Sequence, residues 1–185
     1  FKRYALRMLL FAVLSEVPFD LMYGGTVFYP VHQNVIWTLL LGLLGIRLME
    51  AARAKGKRWL YVLTCAAVVE LGFALGTLGM VDYYGAGVLT VFAFYFFRER
   101  KWWCLLGQLA ALYWLNVVVL GGQMYPVTLF GREIELCEQG LALLALVPIW
   151  LYRGRQGHHS KAFQYACYAF YPAHMLVLAL LTMIQ

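Results

Sequence analysis

The closing stretch from Phe163 to Gln185 constrains this chain most, because it is apolar almost throughout, long enough to cross a bilayer, and carries a histidine halfway along. About 20 apolar residues in a helix span a hydrocarbon core of roughly 30 Å, which puts His174 near the midplane. An ionisable group there is expensive unless it has a partner or a task. Pro172, two residues earlier, removes a backbone donor and is expected to free carbonyls around Phe170 and Tyr171. Cys167, Tyr171 and His174 fall on one helical stripe. Ala162, Ala166, Ala169 and Ala173 form a neighbouring stripe of small residues that lets a second helix come close. His174 is therefore expected to face protein. It is either a histidine satisfied by a carbonyl or a tyrosine hydroxyl, or a group with a direct role, and its depth favours the direct role.

Composition sets the class. Hydrophobic residues make up 63%, charged residues only 13%, and the mean hydropathy is +0.70, values too apolar for a water-soluble domain of this size. The formal charge of +6 sits in short basic clusters between apolar segments, as membrane topology requires, so a nucleic-acid partner is excluded. The four cysteines, Cys65, Cys104, Cys137 and Cys167, form no CxxC pair and have no histidine at zinc-ligand spacing, so neither disulfides nor a metal site is expected.

In chain order, the expected spans are Tyr4 to Phe19, Asn34 to Met49, Trp59 to Val81, Ala86 to Phe97, Trp102 to Leu120, Cys137 to Tyr152, and the His174 helix. Val127 to Glu135, with Gly131-Arg132-Glu133 inside, reads as a hairpin or interfacial excursion. Basic residues cluster at the start, at 53 to 58, at 98 to 101 and at 153 to 161 (Arg153, Arg155, His158, His159 and Lys161). The loops between these clusters hold a single basic residue, Arg132. That alternation predicts an all-α, polytopic transmembrane bundle of about seven spans, with residue 1 cytoplasmic and Gln185 on the outer side. Several spans are short or contain proline, so broken or tilted helices are expected.

Polar residues at membrane depth are Glu16, Glu70, Gln108, Asn116 and His174, of which the ionisable Glu16, Glu70 and His174 each cost about 2.5–3.5 kcal/mol if charged. Gln108 and Asn116 read as ties between helices. Glu16 and Asp20 differ, since they flank Pro18 one turn apart near the outer end of the first span. Backbone and carboxylates there can face a cavity.

Arg7-Met8-Leu9-Leu10-Phe11-Ala12, Ser15-Glu16-Val17-Pro18-Phe19-Asp20, Gln33-Asn34-Val35, Asp82-Tyr83-Tyr84-Gly85 and Phe170-Tyr171-Pro172-Ala173-His174 together resemble the TraX family over nearly the whole chain. The resemblance implies a single transmembrane acyltransferase domain over residues 1–185, related to the wider transmembrane acyltransferases. It implies a protein of the bacterial cytoplasmic membrane that takes acetyl or another acyl group from acetyl-CoA or acyl-CoA, without a metal. The acceptor would be an amine or hydroxyl on the outer side: a protein N-terminus, a glycan or a small metabolite. Family members usually begin with a further helix bearing an Asp-His pair, and this chain starts after that point, so an upstream helix is expected.

Acyl transfer from a thioester needs a general base, donors for the developing oxyanion, and cations for the CoA phosphates. In this scheme His174 is the base, oriented by Glu16 or Asp20, and Tyr171 donates to the oxyanion. Arg47, Arg53, Arg58 and Arg98 would face the nucleotide, and Asp20, His32, Gln33 and Asn34 would line the acceptor's mouth. The rival reading is a proton-coupled transporter or channel with Glu70 and His174 as intramembrane sites, although no convincing internal repeat supports it.

Overall fold

The structure, a computed structural model, describes every residue except Phe130, Arg153, Gln156, His158, His159 and Gln185. Arg153, His158 and His159 of the fourth basic cluster, and the outer terminus at Gln185, thus lie outside the described residues. The elements in chain order are α1 (Lys2–Gly24), α2 (Val35–Ala54), α3 (Arg58–Leu78), α4 (Tyr84–Phe96), α5 (Trp102–Tyr113), β1 (Met124–Leu129), β2 (Arg132–Cys137), α6 (Leu146–Leu151) and α7 (Lys161–Ile184). A π-helical run, Trp114–Leu120, extends α5, and 3₁₀ turns over Glu138–Ala145 lead into α6. Among the described residues four helices are long and apolar enough to cross a membrane: Val35–Ala54, Arg58–Leu78, Trp102–Leu120 and Lys161–Met183. The all-α membrane architecture expected from the sequence is present. The chain divides into two compact units, residues 1–88 with 156–185, and residues 89–155.

In the first unit α1 packs along α7 and against α2, and α2 packs against α3. α1 is long, but Lys2, Arg3, Arg7, Glu16 and Asp20 keep it out of the most apolar class. The expected break at Pro18 does not occur, and the helix runs on to Gly24. Pro18 has no N–H to offer the Leu14 carbonyl, yet it is buried where neighbouring helices support the backbone. α7 likewise runs through Pro172. Phe11 of α1 meets Tyr168 and Tyr171 of α7, with ring centroids 5.8 and 6.0 Å apart. Tyr4 and Arg7 face Gln164 and Tyr165 one level lower. The first and last helices therefore lie parallel, with their N-terminal ends together.

α1 stops at Gly25, whose φ of 66° is a left-handed conformation that glycine adopts without penalty. α2 starts at Asn34, whose side chain accepts from the Ile36 N–H at 3.0 Å as a helix cap. Gly76 of α3 is needed for close approach, because a Cβ there would lie 2.9 Å from the Tyr84 carbonyl and the Val88 side chain.

In the second unit β1 and β2 pair antiparallel from Met124↔Cys137 to Leu129↔Arg132, so the expected excursion is a β-hairpin. Gln108 of α5 is fully used: its amide donates to the Phe97 carbonyl at 2.9 Å and its oxygen accepts from the Trp150 indole at 2.7 Å. Asn116 donates to the Leu112 carbonyl one turn back at 2.9 Å. Gln108 is thus the expected tie between helices, whereas the Asn116 bond stays within its own helical run.

Candidate active site

Three stretches of the first unit converge near the C-terminal end of α1: the Ser15–Asp20 turns, the Tyr29–Trp37 loop and cap, and the Met80–Tyr84 turn. Asn34, fully buried, ties the first two, donating to the Ala12 carbonyl at 2.9 Å and to the Glu16 carboxylate. Trp37, one helical turn on, donates its indole N–H to the same Glu16 oxygen at 2.8 Å. The other oxygen, Oε1, is buried without a partner. Asp20, 2% exposed, accepts the Tyr29 N–H at 2.9 Å through Oδ2. Its Oδ1 and the hydroxyl of Ser15 are likewise buried without partners. Buried oxygens without donors each cost about 1–3 kcal/mol, so a group of them makes this end of α1 the candidate site. Truncating Asn34 to Ala removes a helix cap and leaves Glu16 short of a donor. The expected cost is about 2–4 kcal/mol, read as a clear fall in the thermal midpoint in detergent; an unchanged midpoint would refute this account of the junction.

The third stretch supplies the carboxylate–imidazole pair. His32 Nε2 lies 3.3 Å from Asp82 Oδ1, and the ring stacks on Tyr23 at 4.7 Å and Phe19 at 5.7 Å, which also stack on each other at 5.6 Å, with Tyr84 edge-on at 5.7 Å. A nitrogen facing a carboxylate carries the hydrogen, so Nε2–H is directed at Asp82 and Nδ1 keeps its lone pair. Burial holds the Asp82 carboxyl above its ordinary value of 3.8, outweighing the lowering by the hydrogen bond to His32. The turn is held from several sides. Thr38 donates to the Asp82 carbonyl at 2.8 Å, and the Gln33 N–H donates to the Met80 carbonyl at 2.9 Å. Met80, Tyr83 and Tyr84 take φ of 50°, 59° and 50°, a left-handed region costly for residues with a Cβ. Strain of this kind persists where surrounding structure enforces it, and it collects at functional sites.

Tyr171 of α7 reaches this centre. Its hydroxyl lies near the Val35 backbone N–H and within electrostatic range of Asp82 and Glu16. His174 is arranged differently. Its Nδ1 donates to the Phe170 carbonyl at 2.9 Å, and the ring stacks on Phe170 at 5.0 Å and meets Tyr171 edge-on at 5.6 Å. No hydrogen bond or ion pair joins His174 to Glu16, Asp20 or Glu70 among the described residues. Glu70 lies exposed on α3.

The arginines expected to hold the nucleotide stand apart from the buried carboxylates. Arg47 lies over the Phe1 ring at 5.6 Å, Arg53 pairs with Glu50 at 3.6 Å, and Arg58 opens α3, exposed. In the second unit Arg98 lies over the Tyr95 ring at 4.6 Å. Of the expected site residues, Glu16, Asp20 and Tyr171 are thus brought together, whereas the pairing of His32 with Asp82 was not anticipated. His32 had been placed at the acceptor's mouth and Asp82 read only as a turn. The available signal was a tight turn, Asp82-Tyr83-Tyr84, whose left-handed positions lack glycine. Beside the cluster, Trp37 also lines a cavity of about 300 Å³ with Gln33, Leu41, Leu75, Gly79 and Val81.

Fold and centre together define an α-helical membrane protein with a buried, carboxylate-rich polar site at one end of its helices. The family model described as TraX protein matches residues 1–182, and the chain belongs to the TraX family. No curated protein and no solved structure matches it.

Proposed function

We propose that this protein is an integral-membrane acyltransferase, moving an acetyl or other acyl group from acyl-CoA to an amine or hydroxyl acceptor, in the cytoplasmic membrane of a bacterium. The observation that carries the reading is the His32–Asp82 pair set beside two buried carboxylates with unpartnered oxygens. Asp82 fixes the imidazole tautomer, and the free Nδ1 of His32 takes the proton of the acceptor as its nitrogen or oxygen attacks the thioester carbonyl. A carbon–nitrogen or carbon–oxygen bond forms, the carbon–sulfur bond breaks, and the proton passes to the departing CoA thiolate. Glu16 Oε1 and Asp20 Oδ1 receive hydrogens of the acceptor. The Tyr171 hydroxyl has a hydrogen to give to the oxyanion. The cavity beside Trp37 is the acceptor's approach, and the exposed Arg47, Arg53 and Arg58 meet the nucleotide phosphates from the basic face. His174 stands one turn beyond Tyr171 as a second imidazole, and the variants discussed below separate its role from that of His32.

Incubating purified protein with acetyl-labelled CoA and separate amine and hydroxyl acceptors tests the reading. Label on an acceptor together with release of free CoA thiol is the expected result. Ion flux in proteoliposomes with no affinity for CoA would replace it with the transporter reading built on Glu70 and His174.

A further inference from the structure

A second feature of the first unit lies outside this chemistry. Between α1 and α7, toward their N-terminal ends, is a cleft of about 390 Å³. Its polar groups, Arg7 and Gln164 with the hydroxyl-bearing rings of Tyr4 and Tyr165, sit at one end, and Leu10 and Leu14 continue the wall along α1. Leu10 and Leu14 are 55% and 71% exposed, so the apolar part of the wall is open to the surroundings of the helix. Arg7 to Leu14 spans about 10 Å of helix at the usual rise, a polar end followed by an apolar track.

The electrostatics of the polar end point one way. α1 and α7 both begin there, so two positive dipole ends coincide. Lys2, Arg3 and Lys161 are exposed at the same end. Arg7 meets the Tyr4 ring at 5.9 Å and has no carboxylate partner among the described residues. An arginine one to two turns inside a membrane helix, with aromatic neighbours at headgroup level and no acid, is suited to a phosphate at the membrane surface.

We propose that this cleft binds one anionic phospholipid, its phosphate held by Arg7 and Gln164 and one acyl chain lying along Leu10 and Leu14 against Phe11. A soluble phosphate compound would satisfy the arginine but would leave the leucine track uncovered; a zwitterionic lipid would cover the track while placing a cation against the basic end.

Native mass spectrometry of the full chain, released from micelles doped with equal dioleoylphosphatidylglycerol and dioleoylphosphatidylcholine, reads the preference directly. The expected result is retention of one phosphatidylglycerol over phosphatidylcholine by at least about fivefold, the worth of one basic residue at an anionic surface. That preference should fall to near equality in Arg7→Gln and decrease in Gln164→Leu, whose exposed position makes it the variant to rely on if Arg7→Gln does not fold. Equal retention of the two lipids by the unaltered protein would overturn the proposal, as would a preference unmoved by the substitutions. Displacement of the bound phosphatidylglycerol by added acetyl-CoA would do the same, because it would assign the cleft to the nucleotide.

Discussion

His32→Gln is expected to lower acyl transfer by about 10²–10⁴-fold, the usual worth of one positioned acid or base, while leaving the protein folded and able to bind CoA. Glutamine can still donate to Asp82, so the turn keeps its tie, but it cannot take up a proton near neutral pH. Asp82→Asn should produce a comparable loss by another route, since an amide no longer selects the tautomer that leaves Nδ1 free. The two variants should differ in stability. Burial raises the Asp82 carboxyl, so the folded state holds its proton more tightly than the unfolded chain does. This stabilisation is complete below the ordinary carboxylate value and is lost as pH rises through the folded value. Asp82→Asn should therefore show a thermal midpoint at neutral pH no lower than the parent's, with a flatter pH dependence above about pH 4. Activity of the parent should fall on the acid side as Asp82 takes its proton. An Asp82→Asn protein with full activity would remove the pair from the chemistry.

Tyr171→Phe is expected to lower the turnover number by about 10²–10³-fold, the effect of deleting one donor aimed at a developing oxyanion. The ring contact with Phe11 is retained, so the packing of α1 on α7 should survive. His174 supplies the internal comparison. Its ring hydrogen goes to a backbone carbonyl and its position is secured by Phe170, so His174→Gln should keep activity to within about tenfold of the parent. The opposite pattern, with His174→Gln folded but inactive and His32→Gln active, would return the base to α7. Steady-state rates with acetyl-CoA, run beside thermal unfolding of each variant, distinguish the two.

Hydrophobic run length, basic clusters and the Gly131 turn were enough to anticipate the helical membrane architecture and the hairpin, because these depend on neighbours in sequence. Glu16 and Asp20 were legible for a similar reason: a carboxylate pair one turn apart around a proline is conspicuous in an apolar helix. Pro18 misled, since it removed a donor without ending α1 once other helices supported the backbone, whereas Pro172 lies inside α7, the single span expected there. The His32–Asp82 pair was hidden by distance. Its members are 50 residues apart, one in a loop and one in a turn, and periodicity carries no information about which loops meet. The role of Asn34 was partly visible as a cap. Its bonds to Ala12 and Glu16 depend on how α2 crosses α1, which no local pattern states.

The parallel pairing of α1 with α7 has a consequence in time. A ribosome delivers α1 before α7, at about 5–20 residues per second, so Glu16, Asp20, His32 and Asp82 enter the membrane before Tyr171 exists. Closing contacts between the two ends of a chain is the entropically slow part of folding. An emerging chain can thus hold the acidic and imidazole groups in place while still lacking its oxyanion donor. On the proposed chemistry, competence arrives only when α7 docks on α1, so the helix that follows the rest of the site in sequence is the one that completes it.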